Sequence, residues 1–416
     1  MIGRAVVAAG VLLTLHGCAM WDLRENIERI DQMASIGGRV SHASADGASV
    51  VVGLFDASSS KQIDAFVLER SGAPYFFVVP AGTYRIAAFV DRNRDTVYQS
   101  AAEPAAQYGT PVDIRVAAGQ KKHDVDLTID DRSRVPIDLP IAVPTGDRRG
   151  THELPPIELG EVTTLADPRF SAENGNMGLW EPVDFLFRVG AGFYFLEPYD
   201  PGKTPVLFVH GAGGNPSEFR FLAEHLDRTR FQPWFLYYPS GMDIDMIARG
   251  AVRWLGVLKA RLQFPRLIVV AHSIGGLVSR ATINRLITQG DGGMLATFVT
   301  ISTPWNGHSA AAMGVKEAPV VMPMWRDVAP GSTFLTDLLR VPLPAGCPHS
   351  LLFSYDGHSH FLDVPNDGVV AVSSELAQPV QRAARLVRGF DESHTSILRD
   401  ADVSATVNEV LAAAIR

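Results

Sequence analysis

Along the chain the spacing of apolar residues changes character near residue 177. Before that point the apolar runs are short: Val50-Val51-Val52, Tyr75 to Val79, Tyr84 to Val90, Val112 to Val116 and Val125 to Ile129. Gly, Pro, Asp and Ser turns separate them, which predicts an antiparallel β-sandwich over 37–131. A polar helical stretch, Trp21 to Met33, precedes it in a tether over 18–36. From 132 to 176 prolines accumulate and periodicity fades, as in Val135-Pro136, Leu139-Pro140, Val143-Pro144 and Leu154-Pro155-Pro156, so this stretch reads as a linker.

Over 177–416 strand-like and helix-like segments alternate, the signature of a parallel sheet covered on both faces. Strands are expected at Phe193 to Leu196, Val206 to Val209, Trp234 to Tyr238, Leu267 to Val270, Ala296 to Ile301, Ser350 to Ser354 and Arg385 to Arg388. Ile244, Ile247, Ala251, Leu255, Leu258 and Leu262 recur in steps of three and four, one buried helical stripe, with Asp243 placed to cap it. Further helices are expected from Gly275 to about Ile287 and around Val403, Val407, Val410 and Leu411. The fold class is therefore α/β, a doubly wound and mostly parallel sheet preceded by a small sandwich.

Length and composition fit this picture. With 416 residues, 46% hydrophobic and 20% charged, the chain holds apolar material for two cores. A net charge of -8 argues against nucleic acid as a partner, since Lys121-Lys122 and Arg148-Arg149 are isolated pairs and no basic face emerges. Arg4 followed by an apolar run from Ala5 to Leu15 fits a secretory signal over 1–17 and is too short to span a bilayer comfortably. Leu15-His16-Gly17-Cys18 resembles the lipobox of bacterial lipoproteins, which implies lipidation of Cys18 and anchoring in the cell envelope. Ala19 after that cysteine resembles the outer-membrane sorting pattern. An ordinary cleaved signal with an incidental cysteine stays open; the one other cysteine, Cys347, leaves no internal disulfide to strand.

Candidate chemistry centres on Val269-Val270-Ala271-His272-Ser273-Ile274-Gly275-Gly276, an apolar strand running into a small-residue turn ahead of a helix. Such an elbow lifts a serine hydroxyl clear of the sheet to meet a base and a carbonyl. Ala271 stands where the elbow pattern has glycine. A serine nucleophile needs a base, an acid to orient the base, and oxyanion donors. His394 and Asp367, each in a loop after an expected strand, give the order Ser, Asp, His, with His394 as base and Asp367 as its partner. Asp356 and Asp363 are rival acids; His358 and His360 read as rim residues, and His272 as a packing residue. In Val209-His210-Gly211-Ala212-Gly213-Gly214 an early strand ends in a glycine-rich turn, so the N–H groups of Ala212 and Ile274 are the expected oxyanion donors, with His210 bracing the turn.

A second candidate lies in the sandwich. Asp91-Arg92-Asn93-Arg94-Asp95 alternates oxygen side chains as calcium loops do, but Thr96 replaces the usual glycine and the distal glutamate is missing, so calcium and a solvated turn both stay open.

Val209 to Gly214, Trp234 to Gly241, Ala271 to Gly276, Ile301 to Gly307, Asp367 and His394 together resemble bacterial lipases and esterases of the α/β-hydrolase superfamily, the inositol-deacylase-like group in particular. The resemblance implies carboxylic-ester hydrolysis through an acyl-enzyme, on lipid or other ester substrates, without metal or organic cofactor. Acyl transfer by the same triad is the alternative within enzymes, and a non-catalytic scaffold lipoprotein the alternative outside them. Pro80-Ala81-Gly82-Thr83-Tyr84 resembles the turn of transthyretin-like and carboxypeptidase-regulatory-like modules. Ala310 to Pro344, which inserts Met313, Met322, Met324, Trp325, Phe334 and Leu335, is expected to form either a lid and acyl pocket or a piece of core.

Overall fold

The structure, a computed structural model, describes residues 20–43, 47–109, 113–135, 141–142, 157–357 and 364–415. The expected signal segment, Cys18, Asp363, His358 and His360 lie outside the described residues.

Two sheets make the sandwich. In one, Ala34–His42 pairs antiparallel with Pro74–Val79 and parallel with Lys121–Lys122 and Leu127–Ile129. In the other, Gln62–Leu68, Ser49–Asp56, Gly82–Asp91 and Ala105–Gln107 lie side by side, with Ile114–Val116 also on Gly82–Asp91. Alternation works as expected in Pro74–Val79, where Tyr75, Phe77 and Val79 turn inward against Ile36, Val52 and Ile86. The run Val50-Val51-Val52 is apolar on both faces for a reason. Val50 and Val52 enter the sandwich core, while Val51, with Phe55 and Phe89, packs against Val257 of the second domain.

The second domain is one eight-stranded sheet. Its strands are β1 (Ile157–Val162), β2 (Ala191–Phe195), β3 (Thr204–Val209), β4 (Phe231–Tyr237), β5 (Leu267–His272), β6 (Leu295–Ile301), β7 (His349–Ser354) and β8 (Leu386–Phe390), in spatial order 1-2-4-3-5-6-7-8. From β4 to β8 every pairing is parallel; β2 runs antiparallel to β4. Helices α1 (Ile244–Leu262) and α2 (Ile274–Gln289) cover one face. There Leu267, Val269 and Ala271 of β5 meet Leu255, Leu258, Leu277 and Val278, while Ile268 and Val270 point the other way, to Val403, Val407 and Leu411 of the last helix. Burial on both faces is why β5 reads as a continuous apolar run. Asp243 caps α1, its side chain accepting the Met246 N–H at 3.1 Å.

Three expectations about the connecting segments change. The helix expected at Trp21 to Met33 is present over residues 20–32, but it does more than tether, since its Leu23 enters the second domain's core. Its Asn26 accepts the N–H groups of Val183 and Asp184 at 2.8 and 3.0 Å, and Arg29 pairs with Asp184 at 2.6 Å. The sandwich begins earlier than residue 37, with Ala34–His42, whose Gly37 and Gly38 hid it from periodicity; a Cβ on Gly38 would fall 2.0 Å from the Val125 carbonyl. The linker 132–176 supplies β1, the edge strand, and the helix Ala172–Trp180. Gly160, at φ +88 beside a register shift in β1, breaks the alternation that would have revealed it.

The Ala310–Pro344 segment folds into α3 (Ser309–Glu317), α4 (Pro323–Val328) and α5 (Thr333–Leu338). Met322, Met324, Val328, Leu335 and Leu338 are buried in the main core, so most of the segment completes that core. Met313 on α3, half exposed, is an exception.

Candidate active site

β5 ends at His272 and α2 begins at Ile274, so Ser273 makes the whole turn between them. It does so at φ 55 and ψ -133, a conformation that a residue with a side chain adopts at a cost. Its N–H donates to the Ile301 carbonyl at 2.9 Å and its own carbonyl accepts the Gly276 N–H at 3.0 Å, which fixes the turn at both ends. Two glycines make the space. A Cβ on Gly275 would lie 2.3 Å from the Val209 carbonyl, and one on Gly211 would lie 2.8 Å from the Ser273 Cβ. Ala271, where glycine was the pattern, sits fully buried within β5, and its methyl is absorbed into the core.

The loop after β8 brings His394 to Asp367, which lies beyond β7. His394 Nδ1 meets Asp367 Oδ2 at 2.5 Å, and the His394 N–H donates to the Asp367 carbonyl at 2.8 Å. The Asp367 carboxylate also accepts the N–H groups of Val369 and Val370 at 2.9 and 2.7 Å and the Ser354 hydroxyl at 2.9 Å. Burial alone would resist its ionisation, but the His394 hydrogen bond and charge, with the two N–H donors, hold its pKa below the ordinary carboxylate value. With Nδ1–H committed to the carboxylate, Nε2 is the nitrogen left to accept a proton. Ser273 and His394 are both nearly buried, and no hydrogen bond joins them among the described residues. Such contacts often tighten only with substrate present.

Of the rival acids, Asp356 is exposed and engages through its main-chain N–H, to the Glu392 carbonyl. His272 sends Nε2 to the His394 carbonyl at 2.7 Å, bracing the backbone that carries the His394 ring. Burial, and then the nearby His394, push the His272 pKa down to about 3, so this ring stays neutral. His210 stacks on Tyr238 at 4.2 Å, and the Tyr238 hydroxyl donates to the His210 carbonyl at 2.6 Å. The Gly213 N–H is taken by the Ser240 hydroxyl at 2.9 Å, while the N–H groups of Ala212 and Ile274 have no partner among the described residues. Ala212 follows Gly211, which packs against Ser273, and Ile274 follows Ser273 directly, so both unengaged donors lie near the serine, and an oxyanion requires such donors.

Sequence reasoning missed a polar layer beneath Asp367. The hydroxyls of Ser302 and Ser354 lie 2.6 Å apart, and Glu375, 1% exposed, accepts the Ser354 N–H at 3.3 Å through one oxygen while the other has no partner. Burial, reinforced by the negative charge of Asp367, pushes the Glu375 pKa up to about 10. Two adjacent carboxyl groups therefore divide the roles, Asp367 ionised and Glu375 protonated. Ser302, at φ 51, lies within the Ile301 to Gly307 segment, but nothing near Glu375 in the sequence points to this contact.

Residues 203–327 match the family described as "Putative serine esterase (DUF676)". That span runs from β3 to α4 and includes Ala212, Ser273 and Ile274. No match is found among curated proteins. Among solved structures, the mature lipase BlEst2 of Bacillus licheniformis is similar at 18% identity, covering 53% of this chain and 97% of that one, with a TM-score of 0.40. Lipase B of Aspergillus fumigatus is similar at 16% identity over 53% and 55%, TM-score 0.39. Phospholipase PlaB of Legionella pneumophila is similar at 18% over 42% and 45%, TM-score 0.35. A cleft of about 320 Å³ lies away from all of these site residues, between the sandwich and α1, lined by Phe76, His123, Arg249 and Arg285.

The protonated Glu375 gives a test with a definite sign. Its folded pKa of about 10 lies above the ordinary 4.5, so its contribution to stability is complete below that value and drains away as pH rises toward the folded pKa. Glu375→Gln, which keeps shape and an N–H donor, should match the wild type near pH 4 and melt above it increasingly from pH 5 to 9. Melting curves across that range check this; a difference independent of pH would contradict a protonated Glu375.

Proposed function

We propose that the chain is a serine carboxylic-ester hydrolase in which Ser273 is the nucleophile, His394 the general base and Asp367 the residue that orients and charges it. The observation that carries this reading is the 2.5 Å Asp367–His394 hydrogen bond in a loop layer beside a serine held at positive φ. Ser273 Oγ attacks the ester carbonyl carbon as its proton passes to His394 Nε2. Asp367 stabilises the imidazolium without taking the proton. The oxygen of the tetrahedral intermediate becomes an anion facing the Ala212 and Ile274 N–H groups, each such donor worth roughly 3 kcal/mol in the transition state. Collapse breaks the carbon–oxygen bond to the alcohol, which leaves with the proton from His394. Water then repeats the sequence on the acyl-enzyme, returning Ser273 and releasing the acid.

The family match over the strand-turn-helix that carries Ser273 supports the ester class. Lipid-like acyl groups suit the apolar surroundings. His308, the cap of α3, reaches the Val369 carbonyl at 2.7 Å, which joins the acid loop to the helix bearing Met313, and both Val369 and Met313 are exposed. Lipidation at Cys18 and a place in the bacterial envelope complete the proposal on the strength of the N-terminal sequence pattern. Cys18→Ser should move the protein from the membrane to the soluble fraction on fractionation; a wild type already in the soluble fraction would contradict the anchor.

Ser273→Ala and His394→Ala should each lower turnover of a soluble nitrophenyl ester by roughly 10⁴- to 10⁶-fold, and the double variant should be scarcely worse than either single one. Near-normal turnover in either single variant, measured beside its melting temperature, would refute the assignment.

A further inference from the structure

Within the sandwich, strand Gly82–Asp91 ends in a loop that carries more negative charge than its surroundings balance. Asp91 is fully buried and Glu103 1% exposed, and Asp95 sits between them at the surface. None of the three carboxylates has an ion-pair partner among the described residues. The loop's own arginines do not supply one: Arg92 turns out to Asp131, at 2.9 Å. Main-chain N–H groups take most of the oxygens. Thr96 donates to Asp91 Oδ2 at 3.0 Å, Arg92 and Gln99 to the two oxygens of Glu103, each at 3.0 Å, and Val97 to Asp95 Oδ1 at 2.8 Å. Asp91 Oδ1 remains buried with no hydrogen-bond partner. A buried carboxylate that lacks both a cation and a full set of donors is costly, and a bound cation removes that cost.

We propose that residues 91–103 are a calcium-binding loop, with Asp91, Asn93, Asp95, the Val97 carbonyl and Glu103 as ligands. These are hard oxygen donors only, at the first, third, fifth and seventh places of the loop, the set and spacing that suit calcium. The sequence pattern looked incomplete because the distal acid stands one place beyond the twelfth, at Glu103, and the fold brings it back to the start of the loop. Thr96 holds φ +63 where such loops place glycine, and a β-branched residue there is a true backbone outlier. The three carboxylates do not yet converge as a formed cluster. Asp95 is exposed and accepts hydrogen bonds from Asn93 and Gln99, so it turns inward when the ion binds.

The ion would act on the joint between the domains. The Tyr98 N–H donates to the Ile141 carbonyl at 2.9 Å and Val97 bridges Ala142, while Ile141 packs with Phe55 and with Val257 of α1. Ordering the loop therefore stiffens the connector against the second domain, independently of whether Ser273 is a nucleophile.

The test uses the full-length protein stripped with EDTA. Calcium at roughly 5 mM, well above the range typical of extracellular modules, should raise the melting temperature by roughly 5–10 °C, with magnesium giving much less. Terbium should bind the same loop and luminesce when Tyr98 is excited, and calcium should quench that signal by displacement. Asp91→Asn and Glu103→Gln should lose both responses. In EDTA, Asp91→Asn should melt no lower than the wild type, because it buries an amide in place of an uncompensated carboxylate, which separates loss of the ion from failure to fold. A wild type whose melting and terbium signals ignore calcium, or an Asp91→Asn protein that responds as the wild type does, would overturn the proposal.

Discussion

The positive φ of Ser273 is the constraint to which the second domain is built. A side-chain-bearing residue in that conformation costs on the order of 1–3 kcal/mol and persists only where its surroundings over-determine it. Here they do so from three sides. β5 and β6 fix the incoming chain through the Ser273–Ile301 hydrogen bond, α2 fixes the outgoing chain through Gly276, and β3 presses Val209 and Gly211 against the turn so closely that only glycine fits at 211 and 275. The central position of β5, apolar on both faces and covered by α2 on one side and the last helix on the other, makes this turn rigid. The same turn leaves the Ile274 N–H free at the start of α2, so a single backbone choice exposes a hydroxyl and a donor together.

The charge arrangement follows from that rigidity. Asp367 is fully buried, yet three of its hydrogen bonds come from groups outside the His394 ring: Val369, Val370 and Ser354. These keep it ionised and pointed at the imidazole. Behind it, Glu375 stays protonated because a second charge at that depth has nothing to balance it. His272, neutral and tied to the His394 carbonyl, holds the His394 backbone in place. Each neighbour of the Asp367–His394 pair thus avoids adding a competing charge.

What the sequence revealed and what it concealed divide along physical lines. β5, β3, β6 and α1 were legible because burial on both faces, or on one helical stripe, leaves a periodic apolar signal. The turn at Ser273 and the meeting of His394 with Asp367 were anticipated from short local contexts, the first at the end of β5 and the second in the loop after β8. Ala34–His42 and β1 were not, since Gly37, Gly38 and Gly160 serve close approach and a bulge rather than alternation. Ser302, Ser354 and Glu375 form a layer from three separate stretches of chain, and no local spacing encodes such a contact. In the proposed calcium loop, Glu103 stands one residue beyond the twelfth place and meets Arg92 only through the fold. For Ala310–Pro344 composition could not separate lid from core; depth of burial did, with Met322 inside and Met313 outside.

The sandwich bears on α1 through Val257 and through the Arg253–Asp64 ion pair, so it buttresses the face of the sheet opposite the last helix. Whether the rigid turn is a working nucleophile is most directly read by reacting the full chain with a fluorophosphonate and mapping the adduct by mass spectrometry. A nucleophilic Ser273 gives one phosphonyl adduct, on the peptide containing Ser273, formed far more slowly in His394→Ala. An unmodified wild-type chain, or an adduct on another serine with Ser273 untouched, contradicts it.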